Sequence, residues 1–250
     1  MSKKRQRRES RELPEYDDFI REDRRPSNAP FKPKTKAQEQ YLNNIRSKSV
    51  TFGVGPAGTG KTFVATTQAA DLLAAKKISK LVVTRPIVEA GEQLGFLPGE
   101  LDEKVLPYFM PVLEILQKRL GGGTTAYHLK AGNIVFQPLA YMRGMTFDNS
   151  FVLLDEAQNT TPSQMKLFLS RIGENTTYVI DGDPRQVDIK GPSGLCDGLD
   201  RIGGYGWCGV TRFNNDDIVR SGVARDVIIS YQNEREDGEE QYTLPGFITD

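Results

Sequence analysis

The chain has 250 residues, of which 38% are apolar, a composition typical of one globular domain with polar extensions. Basic and acidic residues number 33 each, so overall charge favours neither a nucleic-acid nor a membrane partner. Two cysteines are too few for a zinc site, and no apolar run is long enough for a membrane span or a signal peptide. We therefore expect a cytoplasmic protein, of a bacterium or of the host cell of a phage.

Both ends of the chain are polar and charged. Residues 1–33 are rich in Lys, Arg and Pro, and we predict a disordered arm that could also hold nucleic-acid phosphates weakly. Residues 233–250 are predicted as an acidic tail. One folded domain is expected between them, over residues 34–232.

Within this domain, short apolar runs alternate with helical patterns. The predicted strands are Val50–Val54, Leu81–Thr84, Ile134–Gln137, Phe151–Leu154, Tyr178–Ile180 and Val227–Ile229. The predicted helices are Thr35–Ser47, Thr62–Ala74, Pro111–Leu120 and Ser163–Ser170, and Gly203–Gly209 is predicted as a turn or bulged loop. This alternation predicts an α/β fold with a parallel sheet covered by helices on both faces.

The stretch Gly55–Thr62, GPAGTGKT, matches the phosphate-loop pattern GxxxxGK[ST] between a predicted strand and a predicted helix. That context favours a nucleotide site over a glycine-rich turn without ligand. Lys61 is predicted to reach the β- and γ-phosphates, and Thr62 to bind Mg²⁺. The loop residues predicted to surround the phosphates are Gly55, Pro56, Ala57, Gly58, Thr59 and Gly60, and all of them except Pro56 offer a backbone N–H group.

Acidic and amide side chains follow two later strands. Asp155 is predicted to hold Mg²⁺ through water, and Glu156 to act as general base on the attacking water, which favours hydrolysis over phosphotransfer. Asp183 and Gln186 follow the next strand, and the amide of Gln186 could sense the γ-phosphate; a surface turn is the alternative for that loop. Gln38 could read the N6 and N7 edge of adenine.

Two loops carry arginines that could contact a nucleic-acid backbone or a neighbouring subunit. Arg85 opens the long loop RPIVEAGEQLGFLPGELDEK, and Arg143 lies in AYMRGMTF. The many acidic residues of the first loop argue against a basic nucleic-acid-binding patch there. The single His128 excludes a paired-histidine ribonuclease mechanism.

Together these motifs resemble the PhoH family over residues 34–231. The most specific segments are VEAGEQLGFLPGE and DEAQNTTPSQMK. The resemblance implies a RecA-like P-loop ATPase that uses ATP and Mg²⁺, resembles one core of a superfamily-1 helicase, forms a ring, expected to be a hexamer, and is linked to RNA. The resemblance implies that Gln38 reads the adenine and that Lys61 and Thr62 contact the phosphates and Mg²⁺. Asp155 and Glu156 match the acidic pair of the family, and Gln186 matches its sensor.

The sequence departs from the family pattern at Asp181, where relatives usually carry Thr or Ser. It also carries Ser221 where they usually carry His. Because only about 33 residues precede the core in this sequence, we expect neither a nuclease domain nor RNA cleavage.

A single core requires an arginine from elsewhere to complete its site. A neighbouring subunit would supply it, and the candidates are Arg143, Arg171, Arg220 and Arg225. Two alternatives remain open: a P-loop phosphotransferase, and a nucleotide-gated RNA-binding scaffold without significant turnover.

Overall fold

The computed structural model describes residues 24–27, 29–87 and 101–233, with side chains between 105 and 231 in the last range. Its strands are β1 (Val50–Val54), β2 (Lys80–Arg85), β3 (Ile134–Pro138), β4 (Ser150–Leu154), β5 (Thr177–Gly182) and β6 (Cys208–Arg212). They form one sheet in the order β3-β2-β4-β5-β1-β6, in which every neighbouring pair is parallel. The predicted α/β P-loop fold, with a RecA-like parallel sheet, is confirmed.

The helices lie between most consecutive strands along the chain, with one before β1 and one after β6. They are α1 (Lys36–Ser47), α2 (Lys61–Ala74), α3 (Leu101–Leu120), α4 (Gly122–Lys130), α5 (Pro162–Leu169), α6 (Gly194–Ile202) and α7 (Gly222–Asn233). Sequence signals at their starts explain several of them. The Thr35 hydroxyl caps α1, and Thr161 with Gln164 forms a capping box in front of α5, whose first residue is a proline. No helix within the described ranges is long and apolar enough to cross a lipid bilayer.

The core lies on both faces of the sheet. In β4, Phe151 and Leu153 pack into one apolar cluster, while Val152 and Leu154 pack into the other. The first cluster is completed by α1, α2 and α3, and the second by side chains of α5 and α6. Because both faces are covered, strands β1 to β5 contain near-continuous apolar runs, the feature that made them predictable.

Strand β5 lies between the strand that precedes the phosphate loop and the strand that precedes the acidic pair. Val54 of β1 is in register with Gly182, and Leu154 of β4 is in register with Ile180. All three strands are parallel, so the residues that follow them meet at one edge of the sheet. This edge therefore brings together the phosphate loop, Asp155 and Asp183.

The sixth strand differs from the prediction. Val227–Ile229 was expected to form it but lies within α7, whereas β6 occupies Cys208–Arg212. Its first two residues, Cys208 and Gly209, belong to the stretch Gly203–Gly209 that was predicted as a loop, so that prediction was wrong at its end. The apolar run misled because three β-branched residues can also lie on a helix. The true strand pairs only with β1 and carries Gly209 where α1 passes closely: an added Cβ there would lie 2.8 Å from Asn44.

Helix α3 begins at Leu101 and contains Pro107 and Pro111, so the prediction that Pro111 starts the helix was wrong. Proline favours a first turn but is also accommodated within a long helix when packing compensates for the lost hydrogen bond. The prediction of a functional loop after β2 falls mostly on residues 88–100, outside the described part of the chain, as do residues 1–23 of the arm and 234–250 of the tail.

Residues 24–27 and 29–34, called the strap below, lie against α3 and α4. The N–H of Gly122 donates to the carbonyl of Arg24 at 2.9 Å, and the N–H of Ser27 donates to the carbonyl of Lys118 at 3.1 Å. Farther along, the ring of Phe31 packs edge-on against Phe63 of α2. The strap thus leads from the end of α3 to the start of α2.

Candidate functional site

A cavity of about 620 Å³ lies at the edge of the sheet where β1, β4 and β5 end. The phosphate loop, the acidic pair and the loop after β5 all line it. The lining residues that the sequence singled out are Gln38, Ala57, Gly58, Gly60, Lys61, Thr62, Arg85, Asp155, Glu156, Asp183, Gln186 and Arg220. The structure thus gathers twelve of the predicted site residues around one space, and its lining does not include Gly55, Pro56, Thr59, Arg143 or Arg171.

The phosphate loop has the backbone shape that an anion cradle needs. Gly60 precedes α2 with φ of 85°, and an added Cβ would lie 2.8 Å from the amide of Gln38. Gly55 has φ of 144°, and an added Cβ would meet the carbonyl of Phe213. Neither position accepts a side chain without strain. Because α2 begins directly at Lys61, the free N–H groups of its first turn lie beside the loop, an arrangement that binds phosphate.

The ammonium group of Lys61 lies over its own loop. It donates to the carbonyls of Gly55 at 2.7 Å and Pro56 at 2.8 Å. Burial lowers the pKa of Lys61, while the carboxylates of Asp181, Asp183, Asp155 and Glu156 act in the opposite direction. The lysine therefore lies in a largely desolvated place, where attraction between opposite charges is strong.

Asp155, only 5% exposed, connects a threonine and an arginine. Its Oδ1 accepts a hydrogen bond from the Thr62 hydroxyl at 3.1 Å, and its Oδ2 lies 2.7 Å from Nη2 of Arg85. The Thr62 and Asp155 groups are hard oxygen donors, the type that suits Mg²⁺ shared with nucleotide phosphates and water. The residues present therefore fit the predicted metal.

Glu156 extends its carboxylate towards the cavity from a strained backbone. Its φ is 55°, in the left-handed region, which non-glycine residues rarely adopt outside turns and functional sites. The side chain is 45% exposed, and Oε2 accepts a hydrogen bond from Nε2 of Gln158 at 2.6 Å. This carboxylate can accept a proton from a water molecule in the cavity.

Gln158 is a site residue that the sequence reasoning missed. It is 1% exposed, and while its Nε2 donates to Glu156, its Oε1 accepts the backbone N–H of Asp183 at 3.1 Å. One amide thus ties the acidic pair after β4 to the loop after β5. The only signal was its position two residues after Glu156, within a segment whose resemblance to a family gave it no individual role.

The loop after β5 is held by its own carboxylate. Asp183 Oδ1 accepts the backbone N–H of Arg185 at 3.1 Å, and Oδ2 accepts Nε2 of Gln186 at 2.8 Å. Both Asp183 and Gln186 line the cavity. The arrangement fixes the Gln186 amide in the lining of the cavity.

Gln38 is 2% exposed and links the strap to the phosphate loop. Its Nε2 donates to the carbonyl of Thr59 at 2.8 Å, and its Oε1 accepts the backbone N–H of Lys34 at 2.8 Å. A primary amide has two donor hydrogens and two acceptor lone pairs. Within the described ranges, one donor and one acceptor of this amide therefore have no partner, which is the pair that the adenine edge requires.

Asp181 lies beneath the site, fully buried in β5. The hydroxyl of Tyr41 donates a hydrogen bond to its Oδ1, while its Oδ2 has no hydrogen-bond partner among the described residues. Burial and, next, the charge of Asp155 raise the pKa of Asp181 to about 8. At neutral pH this residue is therefore largely a neutral acid.

The candidate arginines separate into different places. Arg85 lies inside this chain's own site, and Arg220 lines the cavity beside Gly58. Arg171 lies between α5 and the start of β5, at the opposite edge of the sheet, with Nη1 donating to the carbonyl of Met145. Arg143 is exposed after β3, and Arg225 lies 3.5 Å from Asp216.

The chain is similar in sequence to known proteins over most of its length. Residues 30–232 match the family described as PhoH-like protein. Protein PhoH of Escherichia coli (strain K12) is 44% identical over 207 residues, which cover 81% of this chain and 58% of the relative. The PhoH-like protein of Bacillus subtilis (strain 168) is 43% identical over 203 residues, covering 80% and 64%.

A third relative, the PhoH-like protein of Mycobacterium tuberculosis (strain ATCC 25618 / H37Rv), is 40% identical over 210 residues, covering 83% of this chain and 60% of its own length. The matched part thus spans about three fifths of the length of these relatives. The family match, the parallel sheet and the phosphate loop together indicate a nucleotide-binding protein. The chain belongs to the PhoH family.

Proposed function

We propose that this protein binds ATP with Mg²⁺ in the cavity at the end of β1 and hydrolyses it to ADP and phosphate. The observation that carries this proposal is the Glu156 carboxylate, held by Gln158 at the rim of the cavity that Lys61 and Thr62 also line. Membership of an ATPase family supports the same class of reaction.

The phosphate end of the site has a separate group for each part of the nucleotide. Lys61 leaves its loop carbonyls to bind the β- and γ-phosphates, and the N–H groups at the start of α2 bind the β-phosphate. Thr62 and Asp155 would hold Mg²⁺, which neutralises charge on the phosphates when bound. Gln38 offers its remaining donor and acceptor to the adenine edge.

In the chemical step, Glu156 accepts a proton from a water molecule while the oxygen of that water attacks the γ-phosphorus. The bond between that phosphorus and the bridging oxygen breaks, and ADP leaves with the electron pair. Gln186, held by Asp183, contacts the γ-phosphate and so responds to its presence or loss. Gln158 joins Glu156 to the backbone of Asp183, which couples the base to the sensor.

We further propose that subunits assemble into a ring, with a hexamer as the expected form, and that a neighbour's arginine completes each site. A stripe on α7 supports this assembly, since Val223, Val227 and Tyr231 are exposed by 77%, 50% and 69% at four-residue spacing. The helix lies next to the phosphate loop, because Ile228 approaches Gly58. Such a stripe suits burial against another copy.

Hydrolysis is proposed to be coupled to RNA or another single strand, as the family resemblance implies. Weak contacts from each subunit would add together around a ring. The measurement is phosphate release with and without RNA or single-stranded DNA. Stimulation by one polymer would support the coupling and identify the class of strand, whereas equal rates with both and with neither would contradict it.

Two variants test hydrolysis itself. Lys61→Ala should abolish ATP binding, and Glu156→Gln should retain bound ATP while releasing little phosphate. A Glu156→Gln variant that behaves like the unmodified chain would favour a scaffold without turnover. Transfer of the phosphoryl group to a small molecule without release of phosphate would favour a phosphotransferase.

A further inference from the structure

The strap ends inside the nucleotide cavity and brings an aromatic ring there. Phe31 lines the cavity together with Phe63 of α2. The two ring centroids are 5.8 Å apart with an interplanar angle of 62°, an edge-on contact. Phe31 is half-buried, and Phe63 is 44% exposed. Neither ring has a role in the hydrolysis described above.

The chemistry of the cavity identifies which part of a nucleotide could meet these rings. Lys61, Thr62 and Asp155 define the phosphate end. Phe31 lies on the strap with Lys34, whose backbone N–H binds the amide of Gln38. This part of the cavity therefore combines an apolar ring surface with one free donor and one free acceptor, which suits a flat heteroaromatic ring with a polar edge.

We propose that Phe31 is the base-stacking residue of the site, with its ring against the face of the adenine while Gln38 contacts the adenine edge. This assignment rests on the proposed binding of ATP in the cavity. Aromatic side chains stack on bases because both are flat and polarisable, and the contact removes apolar surface from water. The competing explanation is that Phe31 only fastens the strap to α2.

The strap is anchored firmly enough to hold the ring in place. The guanidinium of Arg119 on α3 donates to the carbonyls of Ser27 and Ala29, and the same side chain forms a two-point contact with Asp71 of α2. With two helices and the strap joined by one arginine, Phe31 is positioned before a base arrives. A base therefore binds without first ordering this segment.

The experiment compares a ligand that has a base with one that lacks it. The probes are a non-hydrolysable ATP analogue and inorganic tripolyphosphate, each measured with Mg²⁺ by calorimetry. Phe31→Leu keeps an apolar side chain against Phe63 but loses the aromatic face, whereas Phe31→Tyr keeps both. Phe31→Leu should lower the affinity for the ATP analogue about tenfold, the order expected for the loss of one base–aromatic stack. Its affinity for tripolyphosphate should not change, and Phe31→Tyr should bind both probes as the unmodified chain does.

A second measurement reports contact directly. Phe31→Trp in a Trp207→Phe background should show quenching of its emission by the analogue and none by tripolyphosphate. Trp207 lies at the opposite edge of the sheet, where its carbonyl accepts the N–H of Ser49 at 3.1 Å before β1, so its removal leaves the cavity intact. Tyr127→Leu, which removes a 65% exposed ring on α4, is the matched control and should leave both affinities unchanged.

The outcomes separate this inference from the proposed function. If Phe31→Leu lowers the affinity for both probes equally, Phe31 has a structural role. If it changes neither affinity, Phe31 does not contact the ligand. Either result overturns the assignment, while the proposal that the cavity binds ATP stands. If the unmodified chain binds tripolyphosphate but not the analogue, the proposed function and the assignment fail together.

Discussion

Arg85 lies 2.7 Å from Oδ2 of Asp155, while Oδ1 of the same carboxylate accepts the hydroxyl of Thr62. Arg85 and Thr62 thus contact different oxygens of Asp155, so Arg85 can orient the carboxylate without occupying the oxygen that faces Thr62. Its Nη1 also donates to the carbonyl of Tyr108 in α3 at 2.8 Å. A residue predicted to face a nucleic acid or a neighbour therefore acts inside its own site.

Replacement of Arg85 by alanine should leave Asp155 without its orienting partner. We expect the Mg²⁺ concentration for half-maximal ATP hydrolysis to rise, and the turnover rate to fall about tenfold, the size associated with loss of one charged hydrogen bond. Arg85→Lys should recover part of the effect, since lysine keeps the charge but not the two-point geometry. Lys166→Ala removes an exposed charge on α5 and serves as control. An unchanged metal requirement would show that Asp155 is oriented without Arg85.

Gln158→Met tests the link between the general base and the sensor. The substitution keeps much of the buried volume but removes the hydrogen bonds to Glu156 and to the N–H of Asp183. We expect turnover to fall about 10- to 100-fold, with ATP affinity nearly unchanged, because the bonds orient the base rather than bind phosphate. Single-turnover rates and binding titrations measure the two quantities separately. Loss of affinity equal to the loss of rate would contradict a role confined to the chemical step.

The phosphate end of the site could be predicted from sequence because local pattern determines it. A glycine-rich loop between a strand and a helix has one well-known geometry, and acids after a buried strand must lie at the same sheet edge. Gln158 and Phe31 were not predictable in this way. Their roles depend on which segments meet in space, and nothing in their neighbourhood along the chain distinguishes them from packing residues.

The edge strand was missed for a related reason. Four of its five positions are not large apolar residues, and its stability comes from pairing with β1 and from the close passage of α1 over Gly209. Pairing of this kind is a property of the assembled sheet. The apolar residues of α7 gave a stronger local signal and attracted the prediction instead.

Arg119→Ala tests whether the strap positions the base. The arginine lies outside the lining of the cavity, so its loss should weaken binding of the ATP analogue only because it releases the strap and Phe31. We expect the affinity for the ATP analogue to fall several-fold, while the affinity for tripolyphosphate stays unchanged. Adding Phe31→Leu should cause no further loss of affinity, since both changes remove the same contact. Additive losses in the double variant would show that Arg119 and Phe31 act independently.

Asp181→Asn should change how stability depends on pH. The pKa of Asp181 is raised from 3.8 to about 8, first by burial and then by the charge of Asp155, so between these values the folded protein binds a proton that the unfolded chain releases. The contribution of this group to stability is therefore complete below pH 3.8, declines as pH rises towards 8, and is lost above it. Asparagine cannot ionise, so the variant should lose this decline and melt several degrees higher than the unmodified chain near pH 8. Thermal unfolding from pH 5 to 9 measures the difference, with Asp200→Asn at an exposed position of α6 as control. Parallel melting curves for the Asp181→Asn variant and the unmodified chain over that range would show that Asp181 is charged in the folded protein.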